Sequence, residues 1–445
     1  MDYKVVKSCR ICGSTNFHKY LDLGVVPACN ALLDSRTQEE PKYPIEVLLC
    51  KDCFLSQLSV VVEPTVLYNN YPYHSSVSET FKKHCYDMAL TLKAMWSPSP
   101  KPEWFLGSNE AWVEKQRPRV LDIASNDGCL LKQFRRAGFY ILGVEPAKNL
   151  NNILFDNLDK FTQDECVDNL VPVIPRFWSS ELAEDLNYKR LRPWGEYGEG
   201  QIDFITATNV FAHVDDLTDF LNGINIALKP NGIFVVEVPH LLSLIENNQF
   251  DTIYHEHLSY FLLGPLRRLF DKHGLPIFRV ERLPIHGGSL RIYTSKDFYP
   301  EESSVEEIGT LEIEHNLYDV NTYDAFTERV KKSIQTFRTL MELFYVSGKK
   351  VMAYGASAKG ISLLNYTDVD TKYIHSIVDD TPAKQNKFTP GSKLPIVGNS
   401  HFEFEKPDLM LLLAWNFAEE LMAKTKSHKE RGGYYLVPIP ELRLV

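Results

Sequence analysis

Apolar positions along this chain fall into two patterns, short unbroken runs and longer stretches in which they recur every third or fourth residue. The first pattern predicts buried strands and the second amphipathic helices. Arg119-Val120-Leu121-Asp122-Ile123 reads as a strand that ends in the tight loop Ala124-Ser125-Asn126-Asp127-Gly128. Residues 129–137 continue as a helix, and Tyr140-Ile141-Leu142-Gly143-Val144-Glu145 as a second strand. Residues 201–210 predict a further buried strand. A helix over 214–228 follows, with Leu217, Phe220, Leu221, Ile224 and Leu228 on one face. Lys229-Pro230-Asn231-Gly232 reads as a turn before the strand 233–238. Further on, Phe326, Val330, Ile334, Phe337, Leu340 and Phe344 mark a long amphipathic helix. The strand–loop–helix pattern then recurs at 351–360, with a second strand at 374–380 and another at 409–414. Residues 97–118, rich in Pro, Ser and charge, predict a loop or insertion.

A strand, a small-residue loop, a helix, and an acidic residue closing the next strand make a nucleotide-binding βαβ unit. Glu145 follows the loop at about the twenty-residue interval that lets a carboxylate hold two ribose hydroxyls. Ala124 and Asn126 stand where a GxGxxG loop has glycines. That weakens a dinucleotide reading and suits S-adenosylmethionine, which has no pyrophosphate to cradle. The order helix, LKPNG, hydrophobic strand points to a class I methyltransferase, with another doubly wound fold as the alternative. In the later unit the loop amides and Lys359 are candidates to hold phosphate; a purely structural α/β domain with an exposed lysine is the alternative. Two such units imply a two-substrate enzyme working in the cleft between them.

Composition narrows the class. A chain of 445 residues, 44% hydrophobic and 24% charged, has room for two or three globular domains. Its net charge of −10 argues against nucleic acid as a bulk partner. No apolar run approaches the roughly 18 residues of a membrane span. Met1-Asp2-Tyr3-Lys4 lacks an apolar signal core, so a cytoplasmic enzyme is expected. Of eight cysteines, Cys9, Cys12, Cys50 and Cys53 form two CxxC knuckles, the ligand set of a structural Zn²⁺ with all four positions filled; four unrelated cysteines are the alternative. Cys29, Cys85, Cys129 and Cys166 are expected to be buried small hydrophobes.

Tyr254-His255-Glu256-His257 holds the densest chemistry. Such a cluster can remove a proton, return it and hold an oxyanion. A zinc or structural histidine pair is the competing reading, although the helical metallohydrolase spacing of two His four residues apart is absent.

Taken together, the two knuckles and Tyr71-Pro72-Tyr73-His74-Ser75-Ser76, Asp122-Ile123-Ala124-Ser125-Asn126-Asp127-Gly128 and Gly143-Val144-Glu145-Pro146 stand in a fixed order. Asn209-Val210-Phe211-Ala212-His213-Val214-Asp215-Asp216, Thr252-Ile253-Tyr254-His255-Glu256-His257, His286-Gly287-Gly288-Ser289-Leu290-Arg291 and Tyr354-Gly355-Ala356-Ser357-Ala358-Lys359-Gly360 follow. From end to end the chain resembles the S-adenosylmethionine-dependent sugar C-methyltransferases that act on nucleotide-linked 4-keto deoxysugars, such as the C3-methyltransferases of antibiotic deoxysugar pathways. The departures are residues 97–118 and the long stretch 179–200. The resemblance implies an α/β chain with an N-terminal zinc-binding module (1–75), a central class I, Rossmann-like methyltransferase domain (76–298) and a C-terminal second Rossmann-like domain (299–445). It implies a proton-abstracting His257 supported by Tyr254 and Glu256, with His213 and Tyr73 completing the catalytic set. It places Asp122, Ala124, Asn126, Asp127, Gly128, Leu130, Glu145 and Asn209 around S-adenosylmethionine. Tyr71, Ser76, His286, Arg291, Ser357, Lys359, Gly360 and Asp379 would contact the nucleotide-linked 4-keto sugar. The expected assembly is a monomer or weak dimer. A zinc-ribbon methyltransferase of RNA or protein, a non-methylating nucleotide-sugar epimerase and a non-catalytic scaffold are the rival classes.

Overall fold

Strands buried on both faces require a parallel sheet covered by helices on each side, and the runs at 119–145 and 202–239 build one. The computed structural model describes residues 2–68, 71–72, 74–97, 108, 116–150, 171–187 and 202–445. Among these, seven strands form the central sheet, with Arg119–Ile123 in the middle of its five parallel strands. Tyr140–Val144 and then Val173–Ile174 run parallel on one side. Ile202–Thr208 and Leu228–Pro239 run parallel on the other. Ser289–Ser295 then inserts antiparallel, between Leu228–Pro239 and the outermost strand Ile277–Leu283. A parallel sheet whose last strand enters as an antiparallel hairpin is the class I methyltransferase topology. The register sets Asp122 beside Thr206 and Gly143, and Glu237 beside Thr208 and Arg291. Acidic side chains thus collect at the carboxyl ends of the parallel strands, where α/β sheets bind their ligands.

A second sheet joins Ile396–Val397, Ile377–Val378, Val351–Tyr354, Leu409–Leu412 and Tyr434–Val437 in parallel, with Arg443–Leu444 antiparallel at its edge. The helix Val320–Val346 lays Tyr323, Phe326, Val330, Phe337 and Met341 into the same core. The N-terminal unit is an antiparallel sheet of Phe17–Val26, Tyr43–Cys50 and Ser56–Leu58. Its fourth strand, Ser259–Tyr260, comes from the middle of the chain. That one strand brings the Tyr254-His255-Glu256-His257 segment against the N-terminal unit.

Several elements differ from expectation. The strand expected at 374–380 is only Ile377–Val378, because the amides of Tyr373 and Ile374 close a turn on the Asp370 carbonyl. Residues 229–232 continue the strand Leu228–Pro239 with a break in register where a turn was expected. The helix Ser303–Glu314 lies beyond the expected domain boundary, yet packs Val305 and Ile308 into the methyltransferase core. Ser180–Asn187 makes a helix at the start of the long stretch 179–200. Tyr73, Cys166 and most of 97–118 lie outside the described residues. Among the described residues no helix is long and apolar enough to cross a membrane.

Candidate active site

The loop after the central strand takes the backbone shape that glycines would give it, without the glycines. Ala124, Asn126 and Gly128 all have positive φ, at 57°, 52° and 73°. Asn tolerates this region and Ala does so only under strain. Strain of this kind persists where the surroundings impose it and collects at functional sites. The Glu145 carboxylate braces the loop at one point, accepting the Asn126 amide at 2.9 Å, and also accepts the Ala147 amide beyond its own strand at 2.8 Å. A Cβ on Gly128 would lie 3.0 Å from the Val171 side chain, so the loop also fits its cover closely. Asp122, buried below, accepts the Thr206 hydroxyl at 2.7 Å, and burial pushes its carboxyl up to about 7. Leu130 turns into the core behind the loop. Asn209, also at positive φ (56°), donates its amide to the Glu237 carbonyl at the neighbouring strand end.

One segment spans from this loop to the Tyr254-His255-Glu256-His257 cluster. Ser75 donates its amide to Asn126 Oδ1 at 2.9 Å, and Ser76 donates both amide and hydroxyl to Asp127 Oδ2, at 3.0 and 2.5 Å. Just before them, Tyr71 exchanges backbone hydrogen bonds with the Asn149 side chain and donates its hydroxyl to Glu256 Oε2 at 3.1 Å. Asp127 Oδ1 and Ser125 Oγ are buried and lack a partner among the described residues. The unpartnered Asp127 oxygen fits a ligand that brings ammonium or hydroxyl donors, as S-adenosylmethionine does.

The cluster itself is held from three sides. Leu258 donates its amide to the Ala212 carbonyl of the methyltransferase unit at 2.8 Å. Tyr366 of the C-terminal helix Ala358–Tyr366 donates its hydroxyl to the Ile253 carbonyl. Asn30, from the segment between the zinc knuckles, donates to Glu256 Oε1 at 2.6 Å. Within this frame His257 donates Nδ1–H to the Thr252 carbonyl at 2.7 Å, leaving Nε2 to accept the Tyr254 hydroxyl at 3.0 Å. The two rings lie 4.2 Å apart. The His213 ring sits 5.0 Å from that of His257, at the end of the short turn Phe211–His213. Burial brings His257 down to about 4, opposed by the Thr252 carbonyl and helped by the Lys359 charge. His213 is likewise held well below the usual histidine range, by burial first and by His257 second. Glu256 is pushed up to about 7 by burial, against the hydrogen bonds from Asn30 and Tyr71. His255 points elsewhere, its Nε2 3.2 Å from the Tyr43 carbonyl, and serves packing.

The expected sugar contacts divide into two groups. Lys359 reaches the cluster, donating to the His286 carbonyl at 2.9 Å with its ammonium 4.8 Å from the Trp415 ring centre. Trp415 in turn donates to Asp251 Oδ2 at 2.6 Å. A cleft of about 480 Å³ opens beside them, lined in part by Gln249, Arg282, Gly287, Gly288 and Trp415. The other group engages the protein itself. Arg291 donates to Glu237 at 2.5 Å and to Glu281 at 3.3 Å, with His84 Nε2 2.8 Å from Glu237. Ser357 caps its helix by accepting the Gly360 amide at 3.1 Å. Asp379 accepts the amides of Ala356 and Thr381 at 2.8 and 2.9 Å. Asn30, Tyr68 and Thr252 were not among the expected site residues. Asn30 and Glu256 are 226 positions apart, and no local pattern reports such a contact.

Away from this pocket, the sulfurs of Cys9, Cys12, Cys50 and Cys53 lie within 4.8 Å of one another, with Cys9–Cys53 and Cys12–Cys50 each at 3.5 Å. Four thiolates at that spacing match tetrahedral zinc, with no position left for a substrate. The other described cysteines, Cys29, Cys85 and Cys129, are buried.

Comparison with known proteins identifies the domains and the family. Residues 9–68 match a zinc binding domain model, 101–279 a methyltransferase domain and 284–440 a C-methyltransferase C-terminal domain. The C-methyltransferase NovU of Streptomyces niveus is 32% identical over 445 residues, covering 99% of this chain and 97% of NovU. Among solved structures, the PH0226 protein of Pyrococcus horikoshii OT3 is 13% identical, covering 51% of this chain and 95% of its own, at a TM-score of 0.33. Magnesium protoporphyrin IX methyltransferase from Synechocystis PCC 6803, with S-adenosylmethionine bound, is 10% identical, covering 49% of this chain and 82% of its own, at 0.30. The full-length likeness to NovU, read with the strand order and the four-cysteine cluster, shows that the chain belongs to the S-adenosylmethionine-dependent C-methyltransferases.

Proposed function

We propose that the protein methylates C3 of a nucleotide-linked 4-keto deoxysugar in the cytoplasm. A carbon beside a ketone becomes a nucleophile when it loses its proton and the charge moves to the carbonyl oxygen. The enzyme then needs a base at that carbon, donors at that oxygen, and the methyl group in line behind the carbon. S-adenosylmethionine, when bound, supplies the electrophilic methyl group. Asn126, Asp127, Gly128 and Glu145 are the residues that hold it, with Glu145 on the ribose.

The observation that carries the reading is the pair of histidines, His257 and His213, packed together beside Tyr254 and Glu256. In this reading His257 Nε2 takes the C3 proton. The Tyr254 hydroxyl now donates to that nitrogen; as substrate enters, it leaves the nitrogen and donates to the carbonyl oxygen. Tyr71 and Asn30 hold Glu256 in place beneath. Lys359 and Gly360, together with the Trp415 cleft, receive the nucleotide diphosphate, and His286 the sugar. Burial of Arg291 and the capping role of Ser357 favour a supporting part for those two.

The test is hydrogen exchange. Thymidine-, guanosine- and uridine-linked 4-keto deoxysugars are incubated with the protein and S-adenosylhomocysteine in deuterated water. One of them is expected to take up deuterium at C3, and to gain a C3 methyl when S-adenosylmethionine replaces S-adenosylhomocysteine. Exchange without methylation would support an epimerase instead. A protein that binds S-adenosylmethionine yet acts on none of the sugars would end the sugar assignment.

A further inference from the structure

His257 and His213 face the same space with opposite hydrogen-bonding needs satisfied behind them. At His257 the partner of Nδ1 is the Thr252 carbonyl, which can only accept. Nδ1 therefore carries the proton and Nε2 the lone pair. At His213 the partner of Nδ1 is the Tyr68 hydroxyl, 3.1 Å away. Tyr68 closes the short helix Pro64–Tyr68, its ring 6.0 Å from His213 and 5.9 Å from Tyr71. Burial raises its phenol well above the ordinary value, with Glu256 and Cys29 adding to the effect. A phenol that keeps its proton can donate it to a bare Nδ1. Among the described residues His213 Nε2 has no partner, and it is not among the sealed, unpaired polar atoms.

We propose that Tyr68 is a positioning residue that fixes His213 as the Nε2–H tautomer, so that this imidazole is a hydrogen-bond donor to the oxyanion while its neighbour His257 is the base. Two histidines 5.0 Å apart then divide the work of enolate formation, one taking the proton from carbon and the other stabilising the charge that appears on oxygen. The assignment of the oxyanion to His213 rests on the sugar-enolate reading. The tautomers themselves do not.

That difference sets the experiment. Nitrogen-15 spectra of the zinc-loaded full-length protein, labelled at histidine, distinguish a protonated ring nitrogen from a bare one. Substitutions His213→Gln and His257→Asn assign the two signals. The expected result, with no substrate present, is a proton on Nε2 of His213 and on Nδ1 of His257. A proton on His213 Nδ1 would overturn the proposal whatever the substrate proves to be. Tyr68→Phe keeps the ring packing and removes the donor. Its spectrum should show His213 with mixed tautomers, and C3 exchange should slow about ten-fold with S-adenosylmethionine affinity unchanged; an unaltered spectrum and rate would remove Tyr68 from the role. His213→Gln, which retains a donor, should exchange at least ten-fold faster than His213→Leu. Equal rates in those two variants would refute donation by His213. Loss of the sugar-enolate reading would appear elsewhere, as no exchange in the wild-type protein.

Discussion

A neutral imidazole buried away from solvent charge stays a free base at lower pH than histidine in water. Burial lowers His257 to about 4, so its nitrogen is protonated only below that value. The acid limb of kcat/KM, which reports the free enzyme's essential base, should therefore fall between about 4 and 5, well under the ordinary histidine value of ~6.5. A limb near 6.5 would mean a different titrating group, Glu256 at about 7 among them, or a His257 open to water. His257→Asn keeps a polar side chain but has no basic nitrogen. Loss of a general base typically costs 10²–10⁴ in rate, so kcat should drop by about that factor while both ligands still bind by titration. Wild-type turnover in this variant would exclude His257 as the base.

Elements explain what local pattern can and cannot disclose. The strand–loop–helix–strand run at 119–145 was legible because each piece is contiguous: hydrophobic run, small-residue turn, acidic strand end. Even the absent glycines were informative, since Ala124 and Asn126 sit at positive φ in the structure. Contacts between elements were not legible. Nothing near Arg291 announces that antiparallel pairing sets it opposite Glu237, and nothing near Tyr68 announces His213, 145 positions away. The strand ending at Glu145 has its own test. Its carboxylate already accepts two loop amides, and two ribose hydroxyls would add charge-assisted bonds worth about 2–3 kcal/mol. Glu145→Ala should weaken S-adenosylmethionine binding roughly ten- to a hundred-fold by titration, and unchanged affinity would separate Glu145 from the ribose.

The whole molecule makes the zinc and the chemistry interdependent without the metal touching substrate. Cys9, Ile11, Cys50, Cys53 and Leu55 pack with Leu121, Phe211 and Phe261 in the methyltransferase core, and the N-terminal sheet takes Ser259–Tyr260 as its edge. Metal analysis of folded protein should find one zinc bound per chain, and Cys50→Ser should unfold at lower temperature, losing activity in step with folded fraction. Normal stability with no zinc would refute a structural metal. Lys359 tests the other junction, where the helix Ala358–Tyr366 meets the Tyr254–His257 segment. If its ammonium serves the diphosphate, Lys359→Ala should raise KM for the nucleotide sugar about ten-fold or more and leave S-adenosylmethionine affinity alone. A matched loss for both ligands would contradict separate subsites. The same substitution carries a second readout, because the Lys359 charge helps to hold His257 low. Removing a nearby cation favours the protonated imidazole, so the acid limb of kcat/KM should move up, toward ~6.5. A limb that stays in place while KM rises would confine Lys359 to the substrate, with no electrostatic reach to the base.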